Sequence, residues 1–265
     1  MNKSILLIAI LFFACTKETP DTLQFIDRPL EPKTSIIFDP VGSPCEDGKA
    51  GIYPCLGYDL LSKISLETFG SEAANDNWGW VDPETAKEYV LSGLDNGTAF
   101  IDISDPQNPV FLGKLPTATT ASPWRDVKVY DNHAFIVSEA PEHGLQVFDL
   151  TRLRSVKEPQ TFSSDSRLTA FGNAHNIWIN QDSGYAYVFG SKLYQGGPLF
   201  ININNPKNPK VEGGYADDLY THDAHIVIYD GPDPQYQGRE LLFGSNSDGG
   251  ENNQIIIVDI TDKSN

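Results

Sequence analysis

Asp76-Asn77 stands before Trp78-Gly79-Trp80-Val81, Arg125-Asp126 before Val127-Lys128-Val129-Tyr130, His175-Asn176 before Ile177-Trp178-Ile179-Asn180, and His222-Asp223 before Ala224-His225-Ile226-Val227. Four times a polar couplet opens a strand-like run, at spacings of 49, 50 and 47 residues. A period of about twenty to fifty residues marks repeated supersecondary units. Working outward from each couplet, a second run follows at 90–94, 134–138, 185–189 and 240–244, and a third at 98–103, 145–150, 199–203 and 256–260. Both sets are rich in Val, Ile, Phe and Tyr, and no segment keeps a helical stripe.

The third run is followed by a turn: Asp105-Pro106-Gln107-Asn108-Pro109, Asn205-Pro206-Lys207-Asn208-Pro209, or Thr261-Asp262-Lys263. Proline fixes φ and withholds a donor, which suits a turn and excludes a central strand. A fourth run comes next at 110–115 and 210–215. Four short strands over roughly fifty residues make a β-propeller blade. The fold class is therefore all-β, a propeller with four blades visible and a ring that need not be complete. The run 60–66 resembles a fourth strand and is expected to pair with the last blade. The chain ends at Asn265 inside a turn whose counterparts continue, which reads as a C-terminally truncated piece of a longer ring.

Lys3 and the short apolar run 5–14 form an export signal, too short to span a bilayer. It ends at Cys15, which reads as the lipidated cysteine of a bacterial lipoprotein; the alternative is an ordinary secretory signal. Residues 1–15 are then leader and anchor, 16–44 a Pro-, Thr- and Asp-rich tether, and 45–265 the propeller. The expected location is exported and lipid-anchored, at the outer membrane or cell surface, with the periplasmic face open. Cys45 and Cys55 remain as an even pair in an exported chain and are expected to form a disulfide. A formal charge of −17 argues against nucleic acid as a partner, since phosphate recognition needs clustered Lys and Arg.

Several motifs together resemble the choice-of-anchor B family of bacterial surface proteins, which carry LVIVD repeats. They are Cys45…Tyr53-Pro54-Cys55, Trp124-Arg125-Asp126, Ala174-His175-Asn176, Tyr220-Thr221-His222-Asp223-Ala224, and Ile257-Val258-Asp259-Ile260. The resemblance implies export, a propeller-like fold and surface attachment, and implies no activity. Asn202 departs from it, standing where the repeat usually has Asp.

Inner strands of a propeller converge, so the couplets are expected to ring the channel mouth. The ligand-binding candidates are Asp76, Asn77, Arg125, Asp126, His175, Asn176, His222 and Asp223. The competing account is structural, because Asp and Asn at strand starts bond neighbouring backbone groups. His175, His222 and His225 with Asp126 or Asp223 suit a divalent ion, but no HxH or HExxH spacing exists, so no metal and no cofactor is assigned. The Asx-rich turns at 102–105 and 246–251 lack the alternation of an EF-hand loop and read as turn chemistry. No GxSxG elbow is present, and His133 and His143 read as surface loop residues. The favoured function is a binding or scaffold module for a protein or glycan, with catalysis left open. The alternative is a hydrolase or lyase using the His/Asp/Arg ring.

Overall fold

A computed structural model describes residues 42–218, 220–247 and 253–264. The leader, the lipidation site Cys15 and the tether as far as residue 41 lie outside the described residues. At the start, β1 (Cys45–Glu46), β2 (Lys49–Ala50) and β3 (Tyr53–Pro54) form a small meander. Cys45 and Cys55 are disulfide-bonded across it, with Cα atoms 5.9 Å apart.

Four larger antiparallel sheets follow in propeller-like succession. The first contains β4 (Ala74–Val81), β5 (Glu88–Leu94), β6 (Gly97–Asp102) and β7 (Val110–Pro116). The second contains β8 (Arg125–Tyr130), β9 (His133–Ser138) and β10 (Leu145–Asp149). Its outer strand is β12 (Ser166–Leu168). The third contains β13 (Asn176–Asn180), β14 (Tyr185–Phe189), β15 (Leu199–Asn202) and β16 (Lys210–Gly214). The fourth contains β17 (Thr221–Ile228), β18 (Glu240–Ser247) and β19 (Asn253–Asp259). The inner strands lie side by side, β4 against β8, β8 against β13, and β13 against β17. The described residues form no closed barrel.

The sheets stack face to face because their strands are apolar on both faces. Trp80, Leu91 and Phe100 of the first sheet meet Val127, Ile136 and Phe148 of the second. The Phe100 and Phe148 rings stack at 4.5 Å. Phe135 and Val147 turn the other way, onto Ile177, Val188 and Ile201. Tyr187, Phe189 and Phe200 meet Ile226, Leu242 and Ile256. Each such side chain contributes about 1.5–3 kcal/mol by leaving water, so these layers rather than the turns hold the array together.

The residue closing each third strand has one repeated task. Asp102 accepts from Ser104 N–H at 3.0 Å, and Asp149 accepts from Thr151 N–H at 3.1 Å. Asn202 and Asp259 do the same for Asn204 and Thr261, each at 3.1 Å. This Asx turn needs an oxygen and no charge, which is why Asn202 serves where the repeat has Asp.

Two connections differ from the sequence reading. The run 60–66 does not join the fourth sheet: Leu60 bridges Ser43, and Ile64, Leu66 and Phe69 cover the outer face of the first sheet beside Ile101 and Phe111. Alternating apolar residues specify a buried face, but not which sheet buries it. The second sheet obtains its fourth strand only after a detour. A 3-10 helix (Leu150–Ser155) and β11 (Gln160–Thr161) intervene, and β11 adds in parallel to β7 as a fifth strand on the first sheet. Gly113 permits this approach, since its φ is +133° and a Cβ there would lie 2.0 Å from the Gln160 carbonyl oxygen. The addition covers an otherwise open sheet edge.

Candidate functional site

The four inner strands bring their starts to one cleft of about 550 Å³. Its lining repeats in two layers. Asp76, Asp126, Asn176 and Asp223 form the first, and Trp78, Lys128, Trp178 and His225, two residues further along each strand, form the second. Alternation along a strand puts residues i and i+2 on the same face, so one polar start and one larger side chain project inward from each sheet.

This corrects the register in the first repeat. The residue equivalent to Asp126 is Asp76, so the first couplet is Asn75-Asp76 rather than Asp76-Asn77. A bulge between Ala74 and Asn77 shifts the pairing of β4 by one step. Asn77 consequently leaves the cleft and lies on the outer face of the first sheet, with Gly79 and Val81.

The first-layer side chains tie each inner strand to the next. Asp76 Oδ2 accepts from Val127 N–H at 3.4 Å, and Asp126 Oδ2 accepts from Ile177 N–H at 2.8 Å. Asn176 Nδ2 donates to the His222 carbonyl at 2.8 Å. Asp223 instead bonds its own strand, at Ala224 N–H. The couplets therefore pair sheets and line a cleft at once.

Charge in the cleft is concentrated on one side. Lys128 Nζ donates to Asp126 Oδ1 at 2.5 Å and stands 3.6 Å from Asp76 Oδ2. It also sits 4.6 Å from the Trp78 ring centroid, in cation–π geometry. Burial pushes the Asp126 carboxyl well up, and its hydrogen bond with Asp76 adds to this against the pull of Lys128. Two carboxyls this close share a proton more readily than they both ionise. Trp78 and Trp178 meet edge to face at 6.5 Å, and His225 lies 4.3 Å from the Trp178 ring.

Arg125 is not at the mouth. It is the largest fully buried side chain, donating from Nε to the Leu94 carbonyl at 2.9 Å and paired through Nη1 with His143 Nε2 at 2.9 Å. His143, read from sequence as a surface residue, is wholly buried. Its Nδ1–H donates to the Gly144 carbonyl at 2.9 Å, leaving Nε2 to accept from Arg125. Only an interior acceptor makes a buried guanidinium tolerable, and the short loop at 140–144 folds His143 inward to supply one.

His175 and His222 meet at the edge of the site. Their Nε2 atoms are 3.0 Å apart, and His175 Nδ1 is 2.5 Å from Glu139 Oε1. Glu139 lies just past β9 and carried no repeat signal, so the sequence reading missed it. Its place in the triplet comes from the chain turning after Ser138. Among the described residues, no group of three His, Cys, Asp or Glu side chains is arranged to hold a metal ion.

Residues 89–117, spanning β5 to β7, match the LVIVD repeat family. No curated protein matches. Among solved structures, the chain is similar to an alpha-L-arabinofuranosidase from Clostridium thermocellum at 13% identity and a TM-score of 0.37, over 73% of this chain and 71% of that one. The class defined by sheets and repeat is a mostly β, propeller-like protein containing an LVIVD repeat.

Proposed function

We propose that this protein is an exported, lipid-anchored binding module of the choice-of-anchor B type, taking a neutral glycan in the cleft between its inner strands. One observation carries this reading: the two-layer lining of Asp76, Asp126, Asn176 and Asp223 over Trp78, Lys128, Trp178 and His225. Carboxylates and an amide supply acceptors for hydroxyl groups, and indole supplies an apolar face, the pairing that a sugar ring needs. The lining has three carboxyls against one lysine, which disfavours the carboxylated ligands that an arginine at the mouth would have attracted. Arg125 is spent inside the fold.

Titrating the protein with a panel of neutral oligosaccharides should quench tryptophan fluorescence, and Trp178→Ala should weaken the binding at least tenfold. Asp223→Ala should weaken it several-fold without changing the melting temperature, since Asp223 bonds only its own strand. A panel that never quenches, or one bound equally by both variants, would refute the glycan reading. Release of a product from any panel member would move the protein to the hydrolase or lyase class.

Anchoring at Cys15 is a separate part of the proposal, resting on the leader's short apolar run and terminal cysteine. Cells treated with a lipoprotein signal-peptidase inhibitor should accumulate the unprocessed precursor; unchanged processing would favour an ordinary secretory leader.

A further inference from the structure

We propose that His175 and His222 form a two-nitrogen site for a divalent transition-metal ion, with Glu139 as its outer support. This site is independent of glycan binding in the cleft. Glu139 accepts from His175 Nδ1, which in the neutral imidazole leaves the lone pair on Nε2. That lone pair faces another imidazole Nε2 at 3.0 Å. Two imidazole nitrogens bonded to one cation at about 2.0–2.1 Å lie roughly 2.9–3.4 Å apart at the usual cis and tetrahedral angles. The pair therefore stands at chelating separation before any ion arrives.

The surroundings hold this geometry. The His175 and His222 rings lie 4.4 Å apart between centroids, with Trp124 and Tyr220 at 6.4 and 6.5 Å from His175. Gly190 packs against the same group: its φ is +69°, and a Cβ there would lie 2.4 Å from the Tyr220 hydroxyl and 2.7 Å from the His175 Cβ. His175 is half-buried and cannot swing away, whereas His222 is exposed. An exposed imidazole can move its proton to Nδ1 and turn Nε2 to a cation without stranding a buried group. A carboxylate behind a ligating histidine fixes the tautomer and raises its basicity. With only two protein ligands the remaining positions belong to water or to a bound molecule, which makes the site open rather than structural. Imidazole pairs suit zinc, nickel and copper and not the hard cations magnesium and calcium.

The test is calorimetric titration of chelator-stripped protein with zinc and with nickel, checked by native mass spectrometry. One ion per chain is expected, with no binding of magnesium. His222→Ala, an exposed change that leaves the fold intact, should abolish stoichiometric binding. Glu139→Gln should weaken it about ten- to a hundredfold. His225→Ala, whose ring lies against Trp178, should leave it unchanged. Copper-loaded protein should show two nitrogen ligands by electron paramagnetic resonance. Absence of stoichiometric binding, or binding that survives His222→Ala, would overturn the proposal and leave the two rings as a hydrogen-bonded pair.

Discussion

Glu240→Ala should lower the stability of the folded domain by about 3–5 kcal/mol, the cost of removing one partner from a buried ion pair. Glu240 opens β18, is almost wholly buried, and gathers a network from two sheets. Its Oε1 accepts from Asn180 Nδ2 at 2.6 Å, Ser183 Oγ at 2.8 Å and Tyr187 Oη at 2.6 Å. Its Oε2 accepts from Lys263 Nζ at 2.7 Å. Alanine would take this acceptor from Asn180, Ser183 and Tyr187, and the largely buried Lys263 ammonium would keep the Ile260 carbonyl but lose its counter-charge. Burial pushes the Glu240 carboxyl up, but the bonds from Lys263, Tyr187 and Ser183 outweigh it and hold the group below its ordinary range. A carboxyl depressed in the folded state stabilises above its unfolded value, and that contribution disappears as pH falls through the folded value. Glu240→Ala should therefore cost most near neutral pH and least in acid. Urea unfolding at pH 7 and pH 3 measures both; a loss under about 1 kcal/mol at pH 7 would show that the network is dispensable.

The repeat, the strand sets and the turns were legible because they depend on local chemistry. Proline stops a strand wherever it falls, and the Asx turns at Asp102, Asp149, Asn202 and Asp259 need only an oxygen two residues before a free N–H. What escaped depends on partners distant in sequence. The bulge in β4 moved the first couplet by one residue, and nothing in Asn75-Asp76-Asn77 distinguishes the inward member. The strand Ser166–Leu168 is three residues long, below the length at which alternation can be read. Ile64 and Leu66 announced a buried face, and its destination on the first sheet, where Phe69 joins them, depended on the space available there. Arg125 was the sharpest divergence. A charged residue in a repeated couplet suggests the mouth of a site, yet this one is accommodated inside by the carbonyl that ends β5 and by an imidazole.

Between pH 5.5 and 6.5, above the range where the depressed carboxylates such as Glu240 titrate in the unfolded chain, the slopes from Asp126 and His143 should largely cancel, and two single substitutions should tilt the profile in opposite directions. Asp126 and His143 titrate against each other in this window. Burial first, then the hydrogen bond with Asp76, pushes the Asp126 carboxyl up to about 7. Its stabilising contribution is complete below the unfolded value of 3.8 and is lost as pH rises toward neutrality. Burial, followed by the charge of Arg125, drives the His143 imidazole down to about 4 from an unfolded value of 6.5. Its contribution is complete above 6.5 and is lost as pH falls, because the unfolded chain takes a proton that the native state refuses. Each group supplies a slope of up to about 1.4 kcal/mol per pH unit, with opposite sign. Asp126→Asn keeps an oxygen for the Ile177 N–H and removes one slope, so stability should rise from pH 5.5 to 6.5. His143→Gln keeps an acceptor for Arg125 and removes the other, so stability should fall over the same range. Parallel urea titrations at half-unit intervals decide the matter: profiles that tilt alike in both variants would mean that neither group holds its shifted state, and the shared proton between Asp76 and Asp126 would have to be abandoned with it.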